Sequence, residues 1–288
     1  MIDYSVIIPF AGGLQMLAKA IDSVPSRDDI EVIAVDNCAA PVAADDIPAS
    51  RDFILLHCSP SRYAGGARNE GMSRATGRFL LFLDADDYFT SSAFEAFDRY
   101  LEAGNDITFF RSRSVRLVDG IPSSRHEAYS AMVDSYLDRG GEDALRYWFA
   151  PPWCKMISRE MVVREGIVFD ECKASNDLMF SVRTGHAARS IGVDQAVVYV
   201  ITEGGRDSSL TTTVSPENQF SRFQSAVRQY RFMEEIGRPD QRFELMSFVL
   251  HALKDFGPGE CLKYVRYAHR NGARVMYGFK LSKLFRKK

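Results

Sequence analysis

Phe79-Leu80-Leu81-Phe82-Leu83-Asp84-Ala85-Asp86-Asp87 is the stretch from which the rest of the chain can be read. Five apolar residues without a charge predict a strand buried on both faces. Three carboxylates follow at once, where such a strand would surface. In open α/β sheets the ligand crevice lies outside the carboxyl ends of the strands. Carboxylates held together repel one another and resist desolvation, so they favour a cation. Asp84 and Asp86, one residue apart, supply hard oxygen ligands suited to Mg²⁺ or Mn²⁺, with phosphates completing the shell. The competing reading is an acidic turn leading into a helix N-terminus, which also favours acids.

Upstream, Tyr4 to Pro9 is β-branched and apolar and predicts a first strand ended by Pro9, since proline donates nothing to a sheet ladder. Apolar residues at Leu14, Leu17, Ala18, Ile21 and Val24 have helical spacing. Glu31 to Val35 predicts a second buried strand that ends at Asp36-Asn37. Strand, helix and strand in that order argue for a parallel βαβ unit. Phe53 to His57 predicts a third strand. Gly65-Gly66 would then precede a helix stopped by Gly77, a placement suited to phosphate, although neither a P-loop nor a G-x-G-x-x-G pattern is present.

Downstream of the acidic turn, Ser92 and Glu95 are spaced as a capping box, and Ile107 to Phe110 predicts a fifth strand. A helix is expected to end near Trp148. Pro151-Pro152-Trp153-Cys154-Lys155 then reads as a rigid turn presenting an aromatic ring and a cation. Ile167 to Phe169 predicts a short strand, Ser175-Asn176-Asp177 a helix cap, and Gly192 to Ile201 a further strand. From Pro216 onward only helices are expected.

The 288 residues suffice for one large α/β domain, or for one domain with an appendage. No apolar run approaches the roughly 18 residues that span a bilayer. An acid stands at position 3 where a signal peptide carries basic residues, so a cytoplasmic location is expected. Five cysteines without a CxxC pair point to reduced thiols. Charge is uneven: the stretch 270–288 carries seven Lys/Arg and no Asp/Glu, which leaves 29 basic against 38 acidic groups in the remainder, a net of −9. That tail mixes apolar and basic residues. It is read either as a solvated helical end or as a peripheral contact with an anionic membrane.

Taken in order, Val6-Ile7-Ile8-Pro9, Val35-Asp36-Asn37, Gly66-Ala67-Arg68-Asn69-Glu70-Gly71 with Ala75-Thr76-Gly77, Leu83-Asp84-Ala85-Asp86-Asp87, Trp153-Cys154-Lys155 and Asn176-Asp177 with Phe180 resemble a family 2 glycosyltransferase of the GT-A fold. The resemblance covers roughly residues 1 to 212. It implies a mostly parallel, Rossmann-like sheet flanked by helices, with a nucleotide-binding half over about 1–110 and an acceptor half over about 111–212. A helical C-terminal extension at 213–288 follows.

The resemblance implies that Pro9 lines the nucleotide pocket and that Asp36 and Arg68 reach the base. Asp84 would face the ribose, and Asp86 the Mn²⁺ or Mg²⁺ that bridges two phosphates. Asp177 would be the catalytic base, Trp153 and Lys155 would lie on the acceptor side, and Arg206 would close over the diphosphate. The partners implied are a nucleotide-sugar donor, expected to be a UDP-sugar, and a glycan or lipid-linked saccharide acceptor; no nucleic acid is expected. Each residue also has a plainer reading: Asp36 as a loop cap, Arg68 as the partner of a neighbouring acid, Trp153 as a packing anchor, and Asp177 as a helix N-terminal acid.

Four positions depart from the family pattern. Asn37 and Asn176 stand where many relatives carry an acid, and Phe10-Ala11 stands where Tyr-Asn is usual. Two alternatives remain, the first suggested by Asn176 and the second by Asp84-x-Asp86 following an apolar strand. One is a GT-A domain that binds a nucleotide or glycan without turnover. The other is a phosphatase of the haloacid dehalogenase type, disfavoured by Tyr88 two positions after Asp86 and by a motif on the fourth strand.

Overall fold

The computed structural model describes residues 1–204 and 215–276. The chain opens with β1 (Tyr4–Phe10), α1 (Leu14–Asp22), β2 (Ile30–Asp36), β3 (Ile54–His57), α2 (Tyr63–Arg74) and β4 (Phe79–Phe82). Strands β1 and β4 are buried along their whole length, as expected of apolar strands covered on both faces. Parallel pairing runs β3-β2-β1-β4. The register sets Phe10 opposite Asp36 and Ile7 opposite Phe82. Asp36, the last residue of β2, and Asp84, two residues past β4, therefore emerge at the same carboxyl edge of the sheet.

The chain continues with β5 (Tyr88–Phe89), α3 (Ala93–Asp98), β6 (Ile107–Arg116), α4 (Glu127–Arg139), α5 (Asp143–Tyr147), β7 (Lys155–Ser158), α6 (Arg159–Arg164), α7 (Leu178–Ala187) and β8 (Ile191–Glu203). These strands complete one eight-stranded sheet in the order β3-β2-β1-β4-β7-β6-β8-β5. β7 runs antiparallel to both β4 and β6, whereas β8 runs parallel to β6 and antiparallel to β5. The result is a mixed α/β sheet flanked by helices, the GT-A arrangement. Its parallel half carries the acidic edge.

Several local expectations are corrected. Pro9 does not end β1, which runs on to Phe10. The Ile7 carbonyl accepts from Leu83 N–H on the β4 side, and the Phe10 carbonyl accepts from Asn37 N–H on the β2 side. Alternation turns Pro9 towards β4, where pairing has already stopped, so its missing N–H costs no ladder bond. Gly65 and Gly66 lie inside the first turn of α2 rather than before it. A Cβ on Gly66 would come within 2.3 Å of Arg62 Cβ. The helix stops at Arg74, ahead of Gly77, whose lack of a side chain permits approach to β1: a Cβ there would lie 2.7 Å from Ser5 N.

Ser92 precedes α3, but its side chain makes no capping hydrogen bond. β6 is longer than expected, and the single helix expected before Trp148 is two, separated at Gly140 and Gly141 (φ 68° and 92°). Residues 167–169 are not a strand. The side-chain amide of Asn69 donates to Phe169 O (3.0 Å) and accepts from Phe169 N–H (2.8 Å), satisfying the backbone as a neighbouring strand would.

By packing, the chain divides into two units. The first comprises Met1–Cys172 and the stretch from Phe180 through β8. The second comprises Lys173–Met179 and the helices α8 (Pro216–Glu235), α9 (Leu245–Phe256) and α10 (Pro258–Arg270). Ser215 caps α8 by accepting from Asn218 N–H, with Pro216 in the first turn. Phe223, Val227, Tyr230, Leu245, Val249 and Tyr264 form the core of this helical unit. No helix among the described residues is long and apolar enough to cross a membrane. Arg206 and the basic stretch from position 277 lie outside the described residues.

Candidate active site at the acidic edge of the sheet

The turn after β4 is held in shape by side-chain and backbone groups of β8. Asp84 N–H donates to Tyr199 Oη at 3.0 Å, and that hydroxyl donates to Asp87 Oδ2 at 2.8 Å. Thr202 N–H donates to Asp87 Oδ1 at 2.7 Å, and the Thr202 hydroxyl donates to the Asp86 carbonyl. Asp87 N–H closes the turn onto Asp84 O at 3.0 Å. The three carboxylates thus divide by environment. Asp84 and Asp86 are half-buried, while Asp87 is buried. Burial, then the Asp84 and Asp86 charges, push the Asp87 carboxyl well above the usual carboxylate range. Asp87 serves the turn, while Asp84 and Asp86 stay partly exposed at the carboxyl edge of the sheet.

Arg68, on α2 and 7% exposed, donates from Nη2 to Asp84 Oδ1 at 2.6 Å and sits over the Phe169 ring at 5.4 Å. Its sequence neighbour Glu70 is engaged instead by Arg62, which also binds Glu171 at 2.7 Å. Phe169 in turn stacks on Phe180 at 3.8 Å and meets Phe82 edge-on. The guanidinium therefore rests on an aromatic cluster continuous with β4.

At the other end of the edge, Asp36 is 2% exposed. Its oxygens accept from Cys38 N–H and Val42 N–H, each at 2.8 Å, and face His57 Nδ1 at 3.1 Å. Burial works against the charged form, but these hydrogen bonds outweigh it and hold the carboxyl below its usual range. A cleft of about 220 Å³ opens here, lined by Asp36, Cys38, Ala39, His57, Ser59 and Pro60 among others. Pro9 is buried one residue before the end of β1. A larger cleft of about 350 Å³ lies wholly within the helical unit. None of the residues singled out by sequence lines it.

Trp153 and Lys155 are not presented by their turn: they are 6% and 2% exposed. Trp153 stacks on Tyr199 (5.3 Å, 17°), and Lys155 Nζ donates to Phe149 O (2.6 Å) and Ser181 Oγ (3.0 Å). Asp177 is half-buried, directly before α7, in the segment Lys173–Met179 that belongs to the helical unit.

Sequence reasoning missed the structural role of Asp87 and the contributions of Tyr199, Thr202, His57 and Asn69. Only the third acid of the motif and the odd Tyr in an otherwise aliphatic β8 run gave a visible signal.

Among the described residues no group of three or more His, Cys, Asp or Glu is gathered as an ion cage. A two-carboxylate set nevertheless fits Mg²⁺ or Mn²⁺, which bind through one or two carboxylates and take further ligands from substrate phosphates and water. Asp84 and Asp86 are the residues that would hold it.

A sequence model described as glycosyl transferase family 2 matches residues 5–164. This chain belongs to glycosyl transferase family 2. Membership removes the phosphatase alternative. The chain is 24% identical over 231 residues to the poly(ribitol-phosphate) beta-N-acetylglucosaminyltransferase TarS of Staphylococcus aureus, covering 76% of this chain and 39% of TarS. This family 2 chain thus spans about two fifths of the length of the curated relatives it matches. In fold it is similar to TarS 1–349 in complex with UDP-GlcNAc (TM-score 0.60, 18% identity, 97% of this chain and 94% of that one). It is also similar to a mannosyltransferase from Pyrobaculum calidifontis in complex with GDP-Man and Mn²⁺ (TM-score 0.54, 12% identity, 96% and 88%).

Proposed function

We propose that this chain is an inverting, metal-dependent glycosyltransferase that moves a sugar from a UDP-sugar to a hydroxyl of a glycan or lipid-linked acceptor in bacterial surface-polymer synthesis. The observation that carries the reading is the acidic turn: Asp84 and Asp86 are half-buried where Asp87 is buried, at the edge where Asp36 and Arg68 also stand. TarS and the Bacillus spizizenii poly(ribitol-phosphate) beta-glucosyltransferase carry names of the same class.

In this reading Asp36 and the cleft beside it take the base, Pro9 lines the pocket, and Arg68 and Asp84 orient the nucleoside. Asp84 and Asp86 would hold Mg²⁺ or Mn²⁺, which would supply positive charge beside the departing diphosphate. Asp177 accepts the proton of the acceptor hydroxyl as its oxygen bonds to the anomeric carbon and the sugar–phosphate bond breaks. Such general-base assistance is worth about 10²–10⁴-fold. One base and one leaving group give a single displacement, hence inversion; retention by double displacement would need a carboxylate nucleophile. Asp is retained at 177 although Asn stands at 176, so the proton acceptor is present. Trp153 and Lys155 support the acceptor side from within the core.

The test is product formation from UDP-GlcNAc or UDP-glucose with poly(ribitol phosphate) or a lipid-linked saccharide, for wild type and Asp177→Asn. Transfer that needs Asp177 supports the reading. Donor binding without turnover on any acceptor would favour a non-catalytic nucleotide- or glycan-binding domain.

A further inference from the structure

In the helical unit, Ser221 of α8 grips a single residue of the segment that carries Asp177. Its hydroxyl accepts from Ala174 N–H at 3.0 Å and donates to Ala174 O at 3.1 Å. Both residues are buried, at 7% and 5% exposure. Two hydrogen bonds on one peptide residue fix both its position and its orientation, as a neighbouring strand does.

The next residue, Ser175, sits in the left-handed region at φ 57°, a conformation that a non-glycine residue keeps only when its surroundings enforce it. Asn176 is then buried, and α7 begins at Leu178, whose side chain is buried with that of Met179. Asp177 therefore follows the residue clasped by Ser221 by three positions and directly precedes α7.

A serine in mid-helix gains little for the helix itself, because its hydroxyl competes with the backbone. Here the hydroxyl is directed at Ala174. We infer that Ser221 is a positioning residue for Asp177, acting through the backbone of Ala174 rather than by touching substrate. The inference rests on the proposed role of Asp177 as base. Misplacing a catalytic group by about 1 Å can cost on the order of 10²-fold in rate.

The test compares Ser221→Ala, Ser221→Thr and Asp177→Asn in the full chain. Three quantities are read: UDP release with the donor and acceptor pair that the wild type uses, calorimetric UDP affinity, and amide exchange across residues 173–179. Ser221→Ala should speed exchange in that segment and lower kcat about 10- to 100-fold, with UDP affinity and donor KM unchanged. Ser221→Thr, which keeps the hydroxyl, should restore kcat. A purely structural serine would lower UDP affinity, kcat and the melting temperature together, and that pattern overturns the inference. If Asp177→Asn abolishes turnover while Ser221→Ala is indistinguishable from wild type, the inference fails alone. If Asp177→Asn keeps full turnover, the base assignment fails, and the inference with it.

Discussion

The Tyr199 hydroxyl stands between both ends of the acidic turn, accepting from Asp84 N–H at 3.0 Å and donating to Asp87 Oδ2 at 2.8 Å. One oxygen on β8 thus sets the backbone of the half-buried Asp84 and satisfies the buried Asp87. Tyr199→Phe keeps the ring and its stack on Trp153 but leaves the Asp84 N–H and the buried Asp87 carboxylate without this partner. The expected cost is about 1–3 kcal/mol in unfolding free energy, read by urea denaturation. Metal-dependent nucleotide affinity should fall with it. Unchanged affinity would mean that the turn keeps its shape without the bridge.

Much of the parallel half was legible because strands covered on both faces read as unbroken apolar runs, as in Val6-Ile7-Ile8 and Phe79 to Leu83. The antiparallel half was not. β7 begins on Lys155, a charge that suggests a surface, yet its ammonium is satisfied inside the core by the Phe149 carbonyl and Ser181. β5 is two residues long and depends on pairing with β8, more than 100 positions away. Phe169 lies in an apolar triplet whose backbone is satisfied by a side chain, Asn69, rather than by a strand. In the site, Asp84 and Asp86 stood out by type and spacing. Asp87 looked the same in sequence, and only burial beneath Tyr199 and Thr202 distinguishes it.

Acid should expose the contribution of Asp36. Its carboxyl lies below the usual range in the folded protein, because hydrogen bonds from Cys38, Val42 and His57 outweigh the opposing effect of burial. A depressed folded value means that this group's stabilisation is complete above the unfolded carboxylate range, near 3.8, and is lost as pH falls through the folded value. Asp36→Asn should therefore be less stable than wild type at neutral pH, with the difference shrinking below about pH 4. Urea denaturation across that range checks the trend. A difference that is constant with pH would contradict it.

Lys155 offers a way to separate packing from chemistry. Lys155→Met retains the buried stem but removes the ammonium that the Phe149 carbonyl and Ser181 receive. A loss of about 1–3 kcal/mol in stability is expected, with UDP affinity unchanged. Determining acceptor KM for this variant then tests the acceptor-side role directly: a rise in KM supports it, and an unchanged KM assigns Lys155 to the core alone.

The central claim is that Asp84 and Asp86 join a divalent ion to a nucleoside diphosphate. Calorimetric titration of UDP, GDP, CMP and dTDP into wild type and Asp86→Ala, with and without Mn²⁺, tests it most directly. The account predicts binding of UDP that requires both Mn²⁺ and Asp86, with Asp86→Ala folded but silent. Nucleotide binding of equal strength without metal, or in Asp86→Ala, would contradict it and return Asp84-Ala85-Asp86 to an acidic turn.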